Sequence, residues 1–360
     1  MKVLQLIDSL QTGGAEKVAV YCANALLTQP VVPFLCTTRS EGPLKAEINA
    51  HVNYLFLKRR FVFDRRALID LSAFIKHHKI DIIHAHGSSF FIASLIKIRY
   101  PKIKIVWHNH LGNSKNLPLK NRFLLKLASL GFSAVITVNK DITAWVKKSL
   151  YCKKVYYIPN FVILKNNASK NSTVLKGEEG KRMVCLSNLR DPKGHETLLK
   201  AFLEVSRSHP LWSLHLVGRD QQDLYSETLK SFITRNKLEK RVFLYGERAD
   251  VSHILKQSTI GIISSLSEGL PLALLEYGIS KLPVISTNVG DCDQVIIEEK
   301  TGLLVPPGEP AQLAAAIEKL IKNVHYRNQL AINLEKHVNE NFNIKTYMTR
   351  LYSMYAAITN

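Results

Sequence analysis

The sequence predicts an α/β protein built from two doubly wound domains, each a parallel sheet flanked by helices. Three observations carry this prediction. Short runs rich in Val and Ile, with little polar alternation, recur along the chain as strands buried on both faces require. Helical patterns fit between them. At 360 residues the chain also exceeds what one hydrophobic core usually serves.

In the first half the strand runs are residues 3–7, 31–36, 80–84, 103–107, 134–138 and 155–158. In the second half they are residues 182–186, 213–217, 242–245, 259–263 and 283–286. Helical periodicity marks residues 15–27, 66–78, 197–208, 270–279 and 311–323. A polar, glycine-tipped stretch separates the halves, which sets domains at 1–165 and 181–343 with a linker at 166–180. The last helical pattern, within 344–360, is expected to cross back onto the first domain. Doubly wound sheets bind ligands outside the carboxyl ends of their strands, so two facing sheets are expected to share a cleft.

Composition narrows the function classes. A hydrophobic content of 46% with 22% charged residues is that of a folded protein. Five cysteines, odd in number and never in a C-x-x-C pair, argue against a disulfide framework and against a zinc knuckle. The N-terminus runs straight into a strand pattern and no run of about 18 apolar residues occurs, so neither export nor a membrane span is expected. The expected location is the cytoplasm. Of the net charge of +20, the larger share lies in residues 1–165, which hold 25 Lys and Arg against 8 Asp and Glu. Such a face attracts a polyanion: nucleic acid, an anionic membrane, or a phosphorylated substrate. No RNA-binding aromatic signature or zinc finger supports nucleic acid.

Several segments carry chemistry. In Glu268-Gly-Leu-Pro-Leu-Ala-Leu-Leu-Glu276 a strand end leads through a turn into a helix, with Pro271 expected in the first helical turn, where its missing N–H costs nothing. The amides of Gly269, Leu270 and Leu272, together with the helix dipole, make an anion site. Glu268 lies on the turn and Glu276 within the helix, so the two need not touch the same group. A second strand-turn-helix segment, Leu186-Ser-Asn-Leu-Arg-Asp-Pro-Lys-Gly-His195, offers Arg190 and Lys193 on a basic turn. In the first half Thr12-Gly-Gly-Ala-Glu-Lys17 joins the first strand to the first helix, but it is not G-x-G-x-x-G, which argues against a nicotinamide or flavin cofactor. His84-Ala-His86 and His108-Asn-His110 stand at two strand ends; neither cysteines nor carboxylates stand near to complete a metal site, so no metal is expected.

In these motifs, in their order along the chain, the sequence resembles glycosyltransferase family 4, the retaining GT-B enzymes with two Rossmann-like domains facing across a cleft. The resemblance covers nearly the whole chain and is strongest from about residue 182 to 308. It implies that Glu268 lies beside the donor sugar, that Glu276 holds the nucleotide ribose, and that Gly269, Leu270, Pro271 and Leu272 hold the diphosphate. Lys193 matches the family's Lys, which neutralises that diphosphate. The family's Arg position holds Asn188 here, and Arg190 stands two residues later, so either completes the site. By the same resemblance Gly13 and Gly14 lie next to the donor phosphate, Gly218 at a strand-end turn, and Asp250 and Val251 where the base is read. The family's sugar-contacting histidine matches His110 or His108, with His110 preferred. His84, His86, His108 and Asn160 are candidates for the acceptor side.

The resemblance implies transfer of a sugar, with retention, from a nucleotide-sugar; the expected donor is a UDP- or GDP-sugar, and with the basic first half the expected acceptor is a saccharide or lipid-linked one in cell-surface polysaccharide or lipopolysaccharide synthesis. It implies no divalent ion or other cofactor. Two basic stretches interleaved with apolar residues, Lys58-Arg-Arg-Phe-Val-Phe-Asp-Arg-Arg66 and Leu117-Pro-Leu-Lys-Asn-Arg-Phe-Leu-Leu-Lys-Leu127, suit a protein lying on the inner, anionic face of the plasma membrane. The rival readings are a GT-B sugar-nucleotide epimerase or phosphorylase, and a protein that binds a sugar nucleotide or polyanion without turning it over.

Overall fold

A computed structural model describes residues 1–110, 118–163 and 172–359. Leu117 of the second basic stretch and residues 166–171 of the expected linker lie outside the described residues. The chain divides into two compact units, one of residues 1–160 with 344–360 and one of residues 161–343.

The first unit alternates strand and helix: β1 (Lys2–Ser9), α1 (Gly14–Leu26), β2 (Val32–Ser40), β3 (Asn53–Phe56), α2 (Arg65–His78), β4 (Ile82–His86), α3 (Phe90–Arg99), β5 (Lys104–Asn109), α4 (Leu119–Ala128), β6 (Ala134–Thr137), α5 (Lys140–Ser149) and β7 (Val155–Tyr157). The strands form one parallel sheet in the order β3-β2-β1-β4-β5-β6-β7. Its direction of winding reverses between β1 and β4, the point at which such sheets open a crevice at their carboxyl ends. The core on one face gathers Leu4, Leu6, Ile83, Ile105 and Val135 against Leu71, Ile75, Ile92 and Ile96 of the helices.

The second unit runs β8 (Arg182–Leu186), α6 (His195–Ser208), β9 (Ser213–Val217), α7 (Leu224–Arg235), β10 (Val242–Gly246), α8 (Val251–Lys256), β11 (Ile260–Ile263), α9 (Leu272–Ile279), β12 (Val284–Thr287), β13 (Leu303–Val305), α10 (Pro310–Lys322) and α11 (Val324–Asn341). Its six parallel strands are ordered β10-β9-β8-β11-β12-β13, reversing between β8 and β11. Part of the polar stretch read as a linker packs here: Leu175 is in the core, and the amide and hydroxyl of Thr173 bond to Asp250 at 2.5 and 3.0 Å. The final helix, α12 (Ile344–Thr359), belongs to the first unit, where Tyr347, Leu351 and Tyr355 are buried and Lys154 Nζ bonds the carbonyl of Ala357 at 3.3 Å.

Two expectations are corrected. Pro271 is the residue before the helix rather than in its first turn, and α9 starts at Leu272. Proline restricts Leu270 to extended backbone, and its own ψ of 125° keeps it outside the helix. Arg59, counted among the membrane-facing basic residues, is buried and paired with Asp8 at 2.9 Å. No helix among the described residues is long and apolar enough to cross a membrane.

Candidate functional site

The topology brings the two motifs of the second unit together. β8 and β11 are neighbours in the sheet and run parallel, so the turn after β8 and the turn after β11 emerge side by side where the winding reverses. Hydrogen bonds stitch them: Leu266 N donates to the Pro192 carbonyl at 2.9 Å and Ser264 Oγ to the Lys193 carbonyl at 3.0 Å. Gly194 adopts φ +63°, and a Cβ there would strike the carbonyl of Ser264, so a glycine is required for the turns to close up. Gly290, at φ +57°, likewise abuts the carbonyls of Glu268 and Gly269, while Asp291 N donates to Gly269 O at 2.9 Å.

At the centre, Lys193 Nζ meets Glu268 Oε1 at 2.6 Å, with side-chain exposures of 20% and 10%. Ser265 Oγ donates to the same oxygen at 2.6 Å, and Thr287 Oγ1 holds the Ser265 carbonyl at 2.6 Å. A charge-assisted pair with so little water around it is geometrically fixed. The start of α9 follows four residues after Glu268 and supplies helix-end amides and the positive end of a helix dipole. The arrangement can receive a diphosphate: a cation, donor amides and glycine backbone that permits close approach. Glu276, buried within α9, lies further along the same helix.

The remaining candidates of this unit have distinct structural duties. Arg190 is exposed on the same turn as Lys193. Asn188 is engaged, its Oδ1 accepting from the Arg219 amide at 2.8 Å. At Gly218 a Cβ would strike the Ser187 carbonyl, so this position lets the ends of β8 and β9 approach. Asp250 precedes α8, which begins at Val251, and its carboxylate is held by Thr173. Sequence reasoning missed Ser264 and Ser265, because small polar residues in a turn give no signal until their partners are known.

In the first unit Gly13 precedes α1 and Gly14 begins it, directly after the strand at which the winding reverses. A Cβ on Gly13 would collide with the Glu16 carboxylate. Asp8, at the end of the same strand, was not picked out from the sequence. It pairs with Arg59, accepts from Thr38 Oγ1, and accepts from Ser88 Oγ at 2.6 Å. Asn160 is buried just beyond β7.

His84, His86 and His108 share one face of β4 and β5, since residues two apart on a strand share a face and His86 is in register with His108, and His110 follows just beyond β5. His84 Nδ1 contacts the Tyr355 hydroxyl at 2.5 Å, and its Nε2 contacts His108 Nδ1 at 3.1 Å. His86 Nε2 contacts Gln5 Oε1 at 2.8 Å, and its Nδ1 contacts His110 Nε2 at 2.9 Å. Burial pushes all four rings below the ordinary histidine range, His84 and His110 to about 3. The rings are therefore neutral near pH 7. Both nitrogens of His84 and of His86 are engaged, which leaves neither for an acceptor. Ring nitrogens of His84, His86 and His108 lie within 4.8 Å of one another, a spacing open to a metal ion, and the same nitrogens bond one another, Tyr355, Gln5 and His110.

The chain is similar to known proteins along nearly its whole length. Residues 167–337 match the family described as Glycosyl transferases group 1, and residues 12–166 match Glycosyltransferase Family 4. An uncharacterised glycosyltransferase of Haemophilus influenzae is 24% identical over 320 residues, covering 86% of this chain and 87% of the relative. The Escherichia coli UDP-Gal:alpha-D-GlcNAc-diphosphoundecaprenol alpha-1,3-galactosyltransferase is 24% identical over 340 residues, covering 88% and 87%. Among solved structures, Anabaena HepE in complex with UDP-glucose superposes with a TM-score of 0.84 at 20% identity over 99% of this chain and 100% of that one. Sucrose-phosphate synthase of Thermosynechococcus elongatus gives 0.84 at 18% identity over 100% and 99%. The fold is thus that of the two-domain GT-B proteins, and the chain belongs to the group 1, family 4 glycosyltransferases and is a transferase enzyme.

Proposed function

We propose that this enzyme transfers a sugar, with retention of configuration, from a nucleotide-sugar donor to a lipid-linked or saccharide acceptor during cell-surface polysaccharide or lipopolysaccharide synthesis. The observation that carries the reading is the Lys193–Glu268 pair at the reversal point of the second sheet, beside the start of α9. As the glycosidic bond breaks, negative charge grows on the departing diphosphate. Lys193, Arg190 and the first amides of α9 stabilise it, with Glu268 beside the sugar and Glu276 on the ribose. These groups supply the electrostatic role of a divalent ion, so transfer proceeds without one. The E. coli relative's diphosphoundecaprenol-linked substrate supports the lipid-linked acceptor.

A panel of UDP-, GDP- and ADP-sugars tests the donor assignment. The matching donor at 1,000 times its Kd is expected to stabilise the fold by about 4 kcal/mol, read as a rise in melting temperature. Proton spectra of the product are expected to show the donor's anomeric configuration, and activity is expected to survive EDTA. A panel in which no sugar nucleotide raises the melting temperature would remove the reading.

The first unit supports a peripheral place on an anionic membrane. Phe61, Val62 and Phe63 are exposed before α2, and on α4 Leu119, Phe123 and Leu127 are exposed among Lys120, Arg122 and Lys126. Apolar side chains enter the headgroup region while the cations meet anionic lipid. Flotation with phosphatidylglycerol vesicles at low salt is expected to carry the protein upward, and Phe61→Ser with Phe63→Ser is expected to reduce the bound fraction severalfold. Equal flotation with neutral and anionic vesicles would contradict it.

A further inference from the structure

The histidine contacts form a single unbranched chain, His108–His84–Tyr355–Gln5–His86–His110, because Gln5 Nε2 also donates to the Tyr355 hydroxyl at 3.2 Å. Its direction can be followed proton by proton, since a neutral imidazole carries one N–H and one lone pair. Gln5 Oε1 accepts, so His86 donates from Nε2 and accepts at Nδ1. His110 therefore donates from Nε2, which leaves its Nδ1 a lone pair. In the other direction the Tyr355 oxygen accepts from Gln5. Its own proton must go to His84 Nδ1, because that buried hydroxyl would otherwise lack an acceptor. His84 then donates from Nε2 to His108 Nδ1, which leaves His108 Nε2 as an N–H.

The two ends of the chain are the atoms left over. His108 Nε2 and His110 Nδ1 are buried and have no hydrogen-bond partner among the described residues. Their rings are 3.8 Å apart. One end donates and the other accepts. Oxygen and nitrogen of an amide are assigned by such networks, but turning Gln5 over inverts every bond and leaves the ends still opposite.

We infer that Tyr355 and Gln5 are positioning residues that hold His84, His86, His108 and His110 in one common tautomer, so that His108 and His110 present a matched donor and acceptor to one hydroxyl group of the substrate. A hydroxyl both donates and accepts; a carboxylate, an ammonium group or a phosphate oxygen satisfies only one end. The inference rests on the proposed sugar transfer for the identity of that hydroxyl, and on this chain's own contacts for the common tautomer.

Long-range proton–nitrogen spectra of the full chain, labelled with nitrogen-15 in its histidine rings and assigned by single substitutions, test it. All four rings are expected to be neutral at pH 6 to 8 and to carry the proton on Nε2. Nδ1 at all four corresponds to the inverted Gln5 amide and also supports the inference. A mixture of the two tautomers among the four, or a charged ring at pH 6, overturns it in the wild-type protein without recourse to any variant. Tyr355→Phe is expected to leave His84 and His108 averaging between tautomers while the chain still folds; unchanged spectra overturn the inference. Gln5→Met serves in the same way, through His86 and His110.

Kinetics link the chain to the substrate. Among acceptor analogues lacking one hydroxyl each, one is expected to lose at least tenfold in kcat/KM with the wild type and far less with Tyr355→Phe. Equal losses in both proteins overturn the hydroxyl assignment. Should no sugar nucleotide act as donor, the proposed transfer fails, and the spectra still decide the common tautomer.

Discussion

Lys193→Ala is expected to lower the rate of sugar transfer by roughly 10²–10³-fold, the usual effect of removing one group that stabilises charge developing in a transition state. The same substitution strips Glu268 of its cation. Ser265 remains as a donor to that carboxylate, but a nearly buried anion without its counter-charge costs about 1–3 kcal/mol, so the melting temperature should fall as well. Lys193→Arg separates the two effects by keeping a positive charge on the turn. If the geometry of the ammonium group matters, the arginine variant should recover stability more fully than rate. Glu276→Ala is expected to act on donor KM more than on kcat, since a ribose contact is made equally in ground and transition states. Transfer assays at varied donor concentration check all three. Unimpaired transfer by Lys193→Ala and Glu276→Ala would require the donor site to lie elsewhere.

Unfolding free energy is expected to fall steeply as the pH drops from 7 to 5. His84, His86 and His108 are fully buried, and their folded-state values are depressed by desolvation. Below about pH 6.5 the unfolded chain takes up protons on these rings and the folded chain does not. The stability they confer is thus complete above the unfolded value and is lost as pH falls toward the folded one. His84, lowered to about 3, contributes about 2 kcal/mol of loss between pH 7 and 5, and His86 and His108 act in the same direction, against a total stability of about 5–15 kcal/mol for a typical domain. His195 and His215 of the second unit, each lowered to about 4 mainly by burial, act in the same direction. Carboxylates held low by ion pairs, such as Asp220 beside Lys230, respond only below about pH 4 and do not confuse this window. Urea titrations at pH 7, 6 and 5 check the slope. A flat profile would mean that the rings take up protons in the folded state.

Much of this was legible in the sequence, and the boundary of legibility has physical causes. Strands such as β8 and β9 announce themselves as apolar runs because both faces are covered. β3, four residues at a sheet edge with none fully buried, and β13, three residues long, are too short for periodicity to register. Lys193 and Glu268 stood out because each sits between a strand and a helix, and a doubly wound order joins such turns. Ser265 and Asp8 did not, since their importance comes from partners distant in the chain. The histidines were visible as residue types at strand ends. Their tautomeric chain was not, because it closes through Tyr355, some 350 residues from Gln5.

The placement of α12 has a consequence for how the protein is made. The first unit is interrupted: its sheet is complete by Tyr157, but the helix that covers Gln5, Cys22 and His84 comes only after the whole second unit. On a ribosome moving at about 5–20 residues per second, the interval is roughly 10–40 s. During it the second unit, contiguous in sequence, is free to fold, while the first exposes the slot that Tyr347, Leu351 and Tyr355 later fill. The order of synthesis and the order of completion are therefore opposite, and the earlier-born half is the one whose core stays uncovered for longer.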